Sequence, residues 1–250
     1  MMMNDPSEQR LQFLLLQIRD PDDPIREHEI RCFANALECP ETDILVHDLI
    51  HEAPNTTQFR EVDAVLIGGS GKYSVASGGP WLPAALEAFQ FLYDETIPTF
   101  ASCWGFQAFA RALGGRVVTD LKRAELGTLS LTLTQEGMSD PLFRELGSPF
   151  WGQLGHQDIV DELPDTAIRL ASSERVENEA FTFANKPIYA TQFHPEMTRE
   201  DLLRRMEVYP EYLTKITGMS VEEFRVHCHA SPQTTHLLRR FAQMVAEQRF

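Results

Sequence analysis

The chain has 250 residues and carries 22 Lys and Arg against 37 Asp and Glu, a formal net charge of −15 at pH 7. This acidity opposes binding to nucleic acids and to anionic membranes, which are themselves polyanionic. Hydrophobic residues make up 43% of the chain and charged residues 24%, which excludes a disordered, collagenous or coiled-coil architecture. The four cysteines have no CxxC spacing, so a reducing, cytoplasmic location is predicted.

No targeting or membrane-spanning segment is predicted. The N-terminus is polar and acidic, with Asn4, Asp5 and Glu8. The first apolar stretch, residues 11–18, contains two glutamines and is too short to span a bilayer. We interpret it as a buried strand.

Short apolar runs alternate with amphipathic stretches in the first half of the chain. The predicted strands cover residues 11–17, 43–50, 63–67 and 99–102. The predicted helices cover residues 25–37, 81–93 and 106–113. This alternation predicts an α/β fold with an open, mostly parallel, flavodoxin-like sheet and helices on both faces.

After residue 115 the pattern changes. Residues 129–134 alternate Leu and Thr, which is typical of a half-exposed strand. Residues 181–183 and 188–193 are predicted strands around a turn at Asn185, Lys186 and Pro187. The second half is therefore expected to add a few antiparallel strands.

The chain after residue 197 is predicted to be helical. Thr198 is placed to cap a helix that ends near Val208, and Ser220 with Glu223 fits a second capping box. An apolar stripe over residues 237–245 marks the last helix. We divide the chain into a domain over residues 1–197 and a helical C-terminal extension over residues 198–250 that packs on it.

The segment ASCWGFQ, residues 101–107, has the layout of a nucleophile elbow. A strand ends, Cys103 follows, and a helix begins at once, with the small residues Ala101 and Gly105 two positions either side. The helix N-terminus favours the thiolate of Cys103. The alternative is a buried structural cysteine.

A cysteine nucleophile needs a base, and the base needs a partner that orients it. His194 closes the last predicted strand, and Glu196 follows two residues later. Amide hydrolysis also needs two N–H donors for the oxyanion. The backbone of Trp104 is one candidate, and the glycine loop GGSG at residues 68–71 can present the other. The alternatives are a surface turn at His194 and a plain glycine turn, since no phosphate-loop pattern is present.

Together, the strand followed by GGSG, the small-x-C-x-G-x-Q elbow and the segment QFHPE at residues 192–196 resemble the class I, triad-type glutamine amidotransferases. The sequence is most similar to stand-alone relatives of the glutaminase domain of GMP synthetase. The resemblance covers roughly residues 10–197. It implies Cys103 as nucleophile, His194 as base and Glu196 as orienter, with oxyanion amides from Gly69 and Trp104.

The resemblance also suggests where the substrate binds. It implies that Gln107 lies near the amino-acid end of the substrate. The segment GHQD, with His156 and Asp158, resembles the loop that such domains place beside bound glutamine, and the alternative is that both side chains hold this loop. The segment AELG at residues 124–127 resembles the stretch after the elbow helix. One departure is Ala101, where the family usually has glycine.

The implied activity is hydrolysis of the γ-amide of glutamine or of a γ-glutamyl compound, with no cofactor and no metal. The about 50 residues after Glu196 are expected to be too few for a synthetase domain. The chain is therefore expected either to supply ammonia to a separate synthetase subunit or to act alone as a γ-glutamyl hydrolase or peptidase. A catalytically silent binding module is the remaining alternative. The run His227, Cys228, His229 is expected to be helical and not to bind a metal.

Overall fold

The computed structural model describes residues 10–248, and the polar residues Asn4, Asp5 and Glu8 lie outside this part. The strands are β1 (Phe13–Gln17), β2 (Ile44–Asp48), β3 (Ala64–Ile67), β4 (Thr99–Ser102), β5 (Arg116–Thr119), β6 (Glu125–Leu133), β7 (Phe150–His156), β8 (Asp158–Glu162), β9 (Ala167–Ser172), β10 (Ala180–Phe183) and β11 (Lys186–Thr191). The α-helices are α1 (Ile25–Leu37), α2 (Thr56–Arg60), α3 (Leu82–Asp94), α4 (Trp104–Ala112), α5 (Gln135–Ser139), α6 (Arg199–Val208), α7 (Pro210–Thr217), α8 (Val221–His227) and α9 (Pro232–Glu247).

A nine-stranded sheet runs in the order β2-β1-β3-β4-β11-β10-β9-β6-β7. The five strands from β2 to β11 are parallel to their neighbours. The pairs from β11 to β7 are antiparallel. A separate two-stranded sheet pairs β5 with β8. The predicted fold, a mostly parallel sheet with antiparallel strands from the second half of the chain, is confirmed.

Successive residues of β1 point to opposite faces of the sheet, as the strand period requires. Phe13 and Leu15 lie in a core with residues of α1 and α9, whereas Leu14 and Leu16 lie in a core with residues of α3 and α4. Each face therefore buries a separate apolar cluster under its own helices. This explains why β1 reads as a continuous apolar run.

Most predicted elements are present, with shifts at their ends. Helix α4 begins at Trp104 and not at residue 106, because Cys103 alone turns the chain from strand to helix. Strand β11 begins at Lys186, so the turn before it is made by Ala184 and Asn185 and excludes Lys186 and Pro187. Asn185 takes the left-handed backbone conformation, φ 58°, that such a tight turn needs. Strands β5, β7, β8 and β9 had no predicted counterpart.

The C-terminal helices pack in two ways. Helix α9 places Leu238 and Phe241 in the core shared with α1. Helices α6–α8 form a separate apolar cluster that includes Leu126 of β6. The predicted cap at Thr198 and the predicted capping box at Ser220 begin α6 and α8, and Thr198 forms a capping box as well. The division of the chain at residue 197 stays a prediction. No helix within residues 10–248 is both long and apolar enough to cross a membrane.

Candidate active site

Three neighbouring parallel strands, β3, β4 and β11, end at one edge of the sheet, where α/β folds of this type bind ligands. Gly69 follows β3, Cys103 follows β4, and His194 follows β11. A Cβ atom added to Gly69 would lie 2.8 Å from Cε1 of His194 and 3.6 Å from Cβ of Cys103. The fold therefore brings together three residues that are far apart in sequence.

Cys103 has the backbone conformation of an elbow. Its φ of 51° and ψ of −100° are strained for a residue with a side chain, and strain of this kind is concentrated at functional sites. The neighbouring strands hold it in place: its N–H donates to the Thr191 carbonyl at 2.7 Å, and the Gly105 N–H donates to the Gly68 carbonyl at 3.2 Å.

Close approach explains the glycine at position 105. A Cβ atom there would lie 2.7 Å from Cγ2 of Ile67. The elbow pattern predicts a small residue at position 105 because it faces position 101. In the structure, the atoms closest to an added Cβ belong to Ile67 of β3. The elbow is therefore pressed against the neighbouring strand, and Ala101 is fully buried within β4.

His194 and Glu196 form a buried pair in which Nδ1 of the ring lies 2.6 Å from Oε1 of the carboxylate. The Nδ1–H donates to Glu196, which leaves Nε2 as the basic nitrogen. Among residues 10–248, Nε2 has no hydrogen-bond partner. Burial lowers the pKa of His194. Although burial alone raises the pKa of Glu196, the ring and the nearby guanidinium of Arg205 hold it below its usual range.

The thiol of Cys103 differs from expectation. The residue is only 5% exposed, and burial together with the charge of Glu196 raises the pKa of the thiol to about 12. Arg205 and the N–H of Trp104 act in the opposite direction. The helix N-terminus therefore does not produce a thiolate at neutral pH, because loss of hydration outweighs the partial charge of the helix.

The two predicted oxyanion donors lie on either side of the cysteine. The N–H of Gly69 has no hydrogen-bond partner among the described residues. Trp104 is the first residue of α4, so its N–H has no intrahelical acceptor, and it lies within hydrogen-bonding reach of the Cys103 sulfur. The Gly69 amide is free to bind another acceptor, whereas the Trp104 amide faces the Cys103 sulfur. Their role in an oxyanion hole stays a prediction.

The glycine loop after β3 is confined on three sides. A Cβ atom added to Gly68 would lie 2.8 Å from Cδ of Glu29, and one added to Gly71 would lie 2.7 Å from the Tyr209 ring. At Gly69 the obstacle is the His194 ring. The loop therefore passes between α1, the candidate base and the C-terminal helices, and side chains at these positions would push it away from Cys103.

A cavity of about 270 Å³ opens beside Cys103. Gln107 lines it and donates from Nε2 to the Asp158 carbonyl at 2.8 Å and to Gln192 at 3.1 Å. Its Oε1 has no partner among the described residues and is available to a ligand. Tyr212 and Lys215 of α7 also line this cavity.

The other two predicted substrate-binding side chains make their hydrogen bonds within the protein. Asp158 accepts from the hydroxyls of Ser74 at 2.7 Å and Thr119 at 2.6 Å, and from the N–H of Ala76 at 3.1 Å. The ring of His156 contacts the Asp158 carbonyl through Nδ1 at 3.1 Å and Glu125 through Nε2 at 3.2 Å. These bonds hold the bend between β7 and β8. Direct substrate contact by His156 and Asp158 stays a prediction.

Sequence analysis missed several residues around the site. Glu29 of α1 and Arg205 of α6 are buried behind His194. Glu29 stands four residues from both Ile25 and Phe33, which are buried, and a charge on such an apolar stripe signals a buried ion. Tyr212 has no comparable signal, because its place depends on how α7 folds over the sheet edge.

Among residues 10–248, two clusters have metal-ligand side chains: a partly buried one of His28, Cys32 and Asp201, and a buried one of Glu125, His156 and Glu179. In both, the histidine is bonded to the carboxylate, at 2.9 Å for His28 and Asp201. His227 is the last residue of α8, but Cys228 takes an extended conformation and His229 lies beyond the helix, so the prediction of a helical run is correct only for His227. Within the described residues, neither His227 nor His229 belongs to such a cluster.

Known proteins with similar sequences bear on this site. The family model for class I glutamine amidotransferases matches residues 35–206. The glutamine-hydrolysing GMP synthase subunit from Methanothermobacter thermautotrophicus is 34% identical over 149 residues, which are 59% of this chain and 76% of that protein. The corresponding protein from Methanocaldococcus jannaschii is 31% identical over 148 residues, 59% of this chain and 75% of that protein. The match to the GMP synthase of Aliivibrio salmonicida, 30% identical, covers 54% of this chain but only 24% of that protein.

Solved structures share the fold. A glutamine amidotransferase from Thermotoga maritima superposes with a TM-score of 0.70, covers 96% of this chain and 99% of its own, and is 20% identical. One from Methylobacillus flagellatus superposes with a TM-score of 0.65, covers 96% of this chain and 93% of its own, and is 18% identical. The family match spans more than half of the chain and contains both the elbow and the His–Glu segment. The chain belongs to the class I glutamine amidotransferase family and is an enzyme of the glutamine amidotransferase type.

Proposed function

We propose that this chain hydrolyses the γ-amide of glutamine, or of a related γ-glutamyl compound, through a γ-glutamyl thioester on Cys103. The observation that carries this proposal is the convergence of Cys103, the His194–Glu196 pair and the free Gly69 N–H at one sheet edge. The names of the GMP synthase relatives specify glutamine hydrolysis, which supports glutamine as the acyl donor.

The first half of the reaction forms the thioester. Because the Cys103 thiol is protonated at neutral pH, Nε2 of His194 takes its proton as the sulfur attacks the γ-carbonyl carbon. The N–H groups of Gly69 and Trp104 donate to the oxyanion of the tetrahedral intermediate. The C–N bond then breaks, the imidazolium returns its proton to the leaving nitrogen, and ammonia or an amine departs.

The second half releases glutamate. His194, neutral again, removes a proton from water, whose oxygen attacks the thioester carbonyl. The C–S bond breaks, the imidazolium returns the proton to sulfur, and the thiol of Cys103 is restored. Glu196 accepts from Nδ1 throughout and stabilises the imidazolium. Gln107 offers its free Oε1 to the amino-acid end of the substrate.

The proposed reaction has two variants, which differ in the leaving group. The relatives from Methanothermobacter and Methanocaldococcus are named as subunits, which supports delivery to a separate synthetase subunit. The cavity of about 270 Å³ beside Cys103 supports the second variant, in which a γ-glutamyl compound with a larger leaving group is the substrate. The two variants share the same chemistry at Cys103 and differ in what leaves.

Incubation of the purified chain with glutamine, glutathione and γ-glutamyl amines tests the proposal, with glutamate followed by mass spectrometry. We expect glutamate from the parent protein and none from a folded Cys103→Ala control. Glutamine turnover that requires added cell lysate indicates a partner subunit, and turnover of a γ-glutamyl peptide by the chain alone indicates a hydrolase. No turnover and no adduct on Cys103 with any compound would show a silent module and overturn the proposal.

A further inference from the structure

Two buried arginines and one buried glutamate lie behind His194, and only one of the arginines is needed to pair with that glutamate. Arg19 and Glu29 pair at two points, with Nε to Oε2 at 3.1 Å and Nη2 to Oε1 at 2.9 Å. Gln17 adds a third donor to Glu29 at 2.9 Å. Both oxygens of Glu29 are therefore satisfied without further help. Arg205, which is 6% exposed, is a second buried cation that this pair does not need.

Arg205 and Glu196 each keep unused hydrogen-bonding atoms. The Nε and Nη2 atoms of Arg205 have no hydrogen-bond partner among the described residues, and neither has Oε2 of Glu196. Nη2 of Arg205 lies 3.7 Å from Oε1 of Glu196 and 3.8 Å from Oε1 of Glu29. Unsatisfied buried donors and acceptors are costly, so this mutual proximity requires an explanation.

We infer that Arg205 is a positioning residue for the candidate triad: it anchors the Glu196 carboxylate at Oε1, the oxygen that His194 also contacts. The inference rests on the proposed roles of His194 and Glu196. The 3.7 Å gap is an ion-pair distance, and a shift of less than about 1 Å makes it a hydrogen bond.

The charge of Arg205 also acts on the base. Burial is the main cause that lowers the pKa of His194, and Arg205 acts in the same direction. Arg205 also lowers the pKa of Glu196, in addition to the effect of the His194 ring. The other titratable or charged groups that face Arg205 and His194 are Arg19, Glu29, Cys32, Cys103, Glu196 and Tyr209. Within this set, Arg205 is the cation that lies in ion-pair range of both Glu29 and Glu196.

This role gives α6 a part in the chemistry. Arg205 lies beyond residue 197, at which we divided the chain, and within the family match that ends at residue 206. Its position on the helix, three residues after the buried Leu202, places a cation on the face that packs against the site. The functional unit therefore extends through α6.

The test is an Arg205→Met variant, with two readouts. One is the pH dependence of kcat/KM, and the other is an NMR titration of the His194 ring in a Cys103→Ala background, which needs no substrate. Loss of the cation should raise the pKa of His194 and move the acidic limb of kcat/KM upward by about one pH unit, with kcat about tenfold lower. Arg205→Lys should restore the position of the limb, because it restores the charge.

Arg199→Met is the matched control, since Arg199 lies on the same helix but bonds to the Cys228 and Arg225 carbonyls. It should leave the His194 titration unchanged. If Arg205→Met does not fold, Arg205→Gln, which removes the charge but keeps two donors, takes its place. An unchanged His194 titration in a destabilised Arg205 variant shows a purely structural role and overturns the inference. If the parent protein hydrolyses no γ-glutamyl amide, the proposed function fails, yet the NMR titration still decides the role of Arg205.

Discussion

Two histidine–glutamate pairs are buried within residues 10–248, and they differ in their hydrogen bonds. In the first, His194 engages Glu196 through Nδ1 at 2.6 Å and keeps Nε2 without a partner among the described residues. In the second, His156 uses both nitrogens, with Nδ1 at 3.1 Å from the Asp158 carbonyl and Nε2 at 3.2 Å from Glu125. Only the first pair has a nitrogen left to accept a proton.

The third member of each group differs as well. Arg205 lies beside Glu196, whereas the carboxyl of Glu179 lies beside Glu125. Burial and the charge of Glu125 raise the pKa of Glu179 well above its usual range. A cation therefore lies beside the first pair, and a second buried carboxyl group lies beside the second. The comparison teaches that the same two residue types build a base or a closed structural network according to what surrounds them.

The largest expected effect comes from replacing each of the two histidines with glutamine. His194→Gln should lower kcat about 10²–10⁴-fold with the fold retained, because it removes the general base. His156→Gln should instead lower the free energy of unfolding by about 1–3 kcal/mol, because it leaves Glu125 short of a partner. Rates of glutamate release and urea denaturation measure both. Equal losses of turnover at equal stability would contradict the assignment.

Replacing the two glutamates should show the same difference between the pairs, with the larger loss of kcat at Glu196 and the smaller at Glu125. The loss of kcat in Glu196→Gln should be at least about tenfold smaller than the loss in His194→Gln, because the orienter tunes the base and transfers no proton. Glu125→Gln should change kcat least of the three. Steady-state kinetics of the purified variants provide the comparison, with circular dichroism as the control for folding. If Glu196→Gln and His194→Gln cost the same, Glu196 has more than an orienting role.

A methyl group can disturb one pair alone. At Gly69 it would lie 2.8 Å from Cε1 of His194, so Gly69→Ala should displace the base and lower kcat about 10²-fold. Steady-state kinetics of the purified variant measure the loss, with circular dichroism as the control for folding. A fully active Gly69→Ala enzyme would show that His194 does not act from this position.

The smallest effect concerns the pH dependence of stability. Because the pKa of Glu179 is raised in the folded state, the folded protein holds a proton that the unfolded chain releases above about pH 4.5. This group therefore stabilises the fold at low pH, and the contribution is lost as the pH rises through the folded-state pKa. Glu179→Gln should flatten that decline in denaturation experiments over a pH series. Glu177→Gln, at an exposed position nearby, should leave the decline as in the parent.

Local patterns were enough to predict the parallel half of the sheet. The apolar runs and helical spacings of β1, α1, β3 and β4 follow from the periods of strand and helix, which depend only on neighbouring residues. The elbow was predictable for the same reason, since a strand, one cysteine and a helix are consecutive. Strands β7 and β9 were missed because their burial does not alternate, so no period of two is visible in their residues.

The sequence by itself thus determined the fold class, the family and the candidates Cys103, His194 and Glu196, because these depend on local patterns and residue types. Only the tertiary structure decided that the thiol of Cys103 is protonated, because burial by distant segments outweighs the partial charge of the adjacent helix. It also decided which histidine keeps a free nitrogen and which cation lies behind it. Those properties depend on groups that meet only when the chain is folded, and no local spacing encodes them.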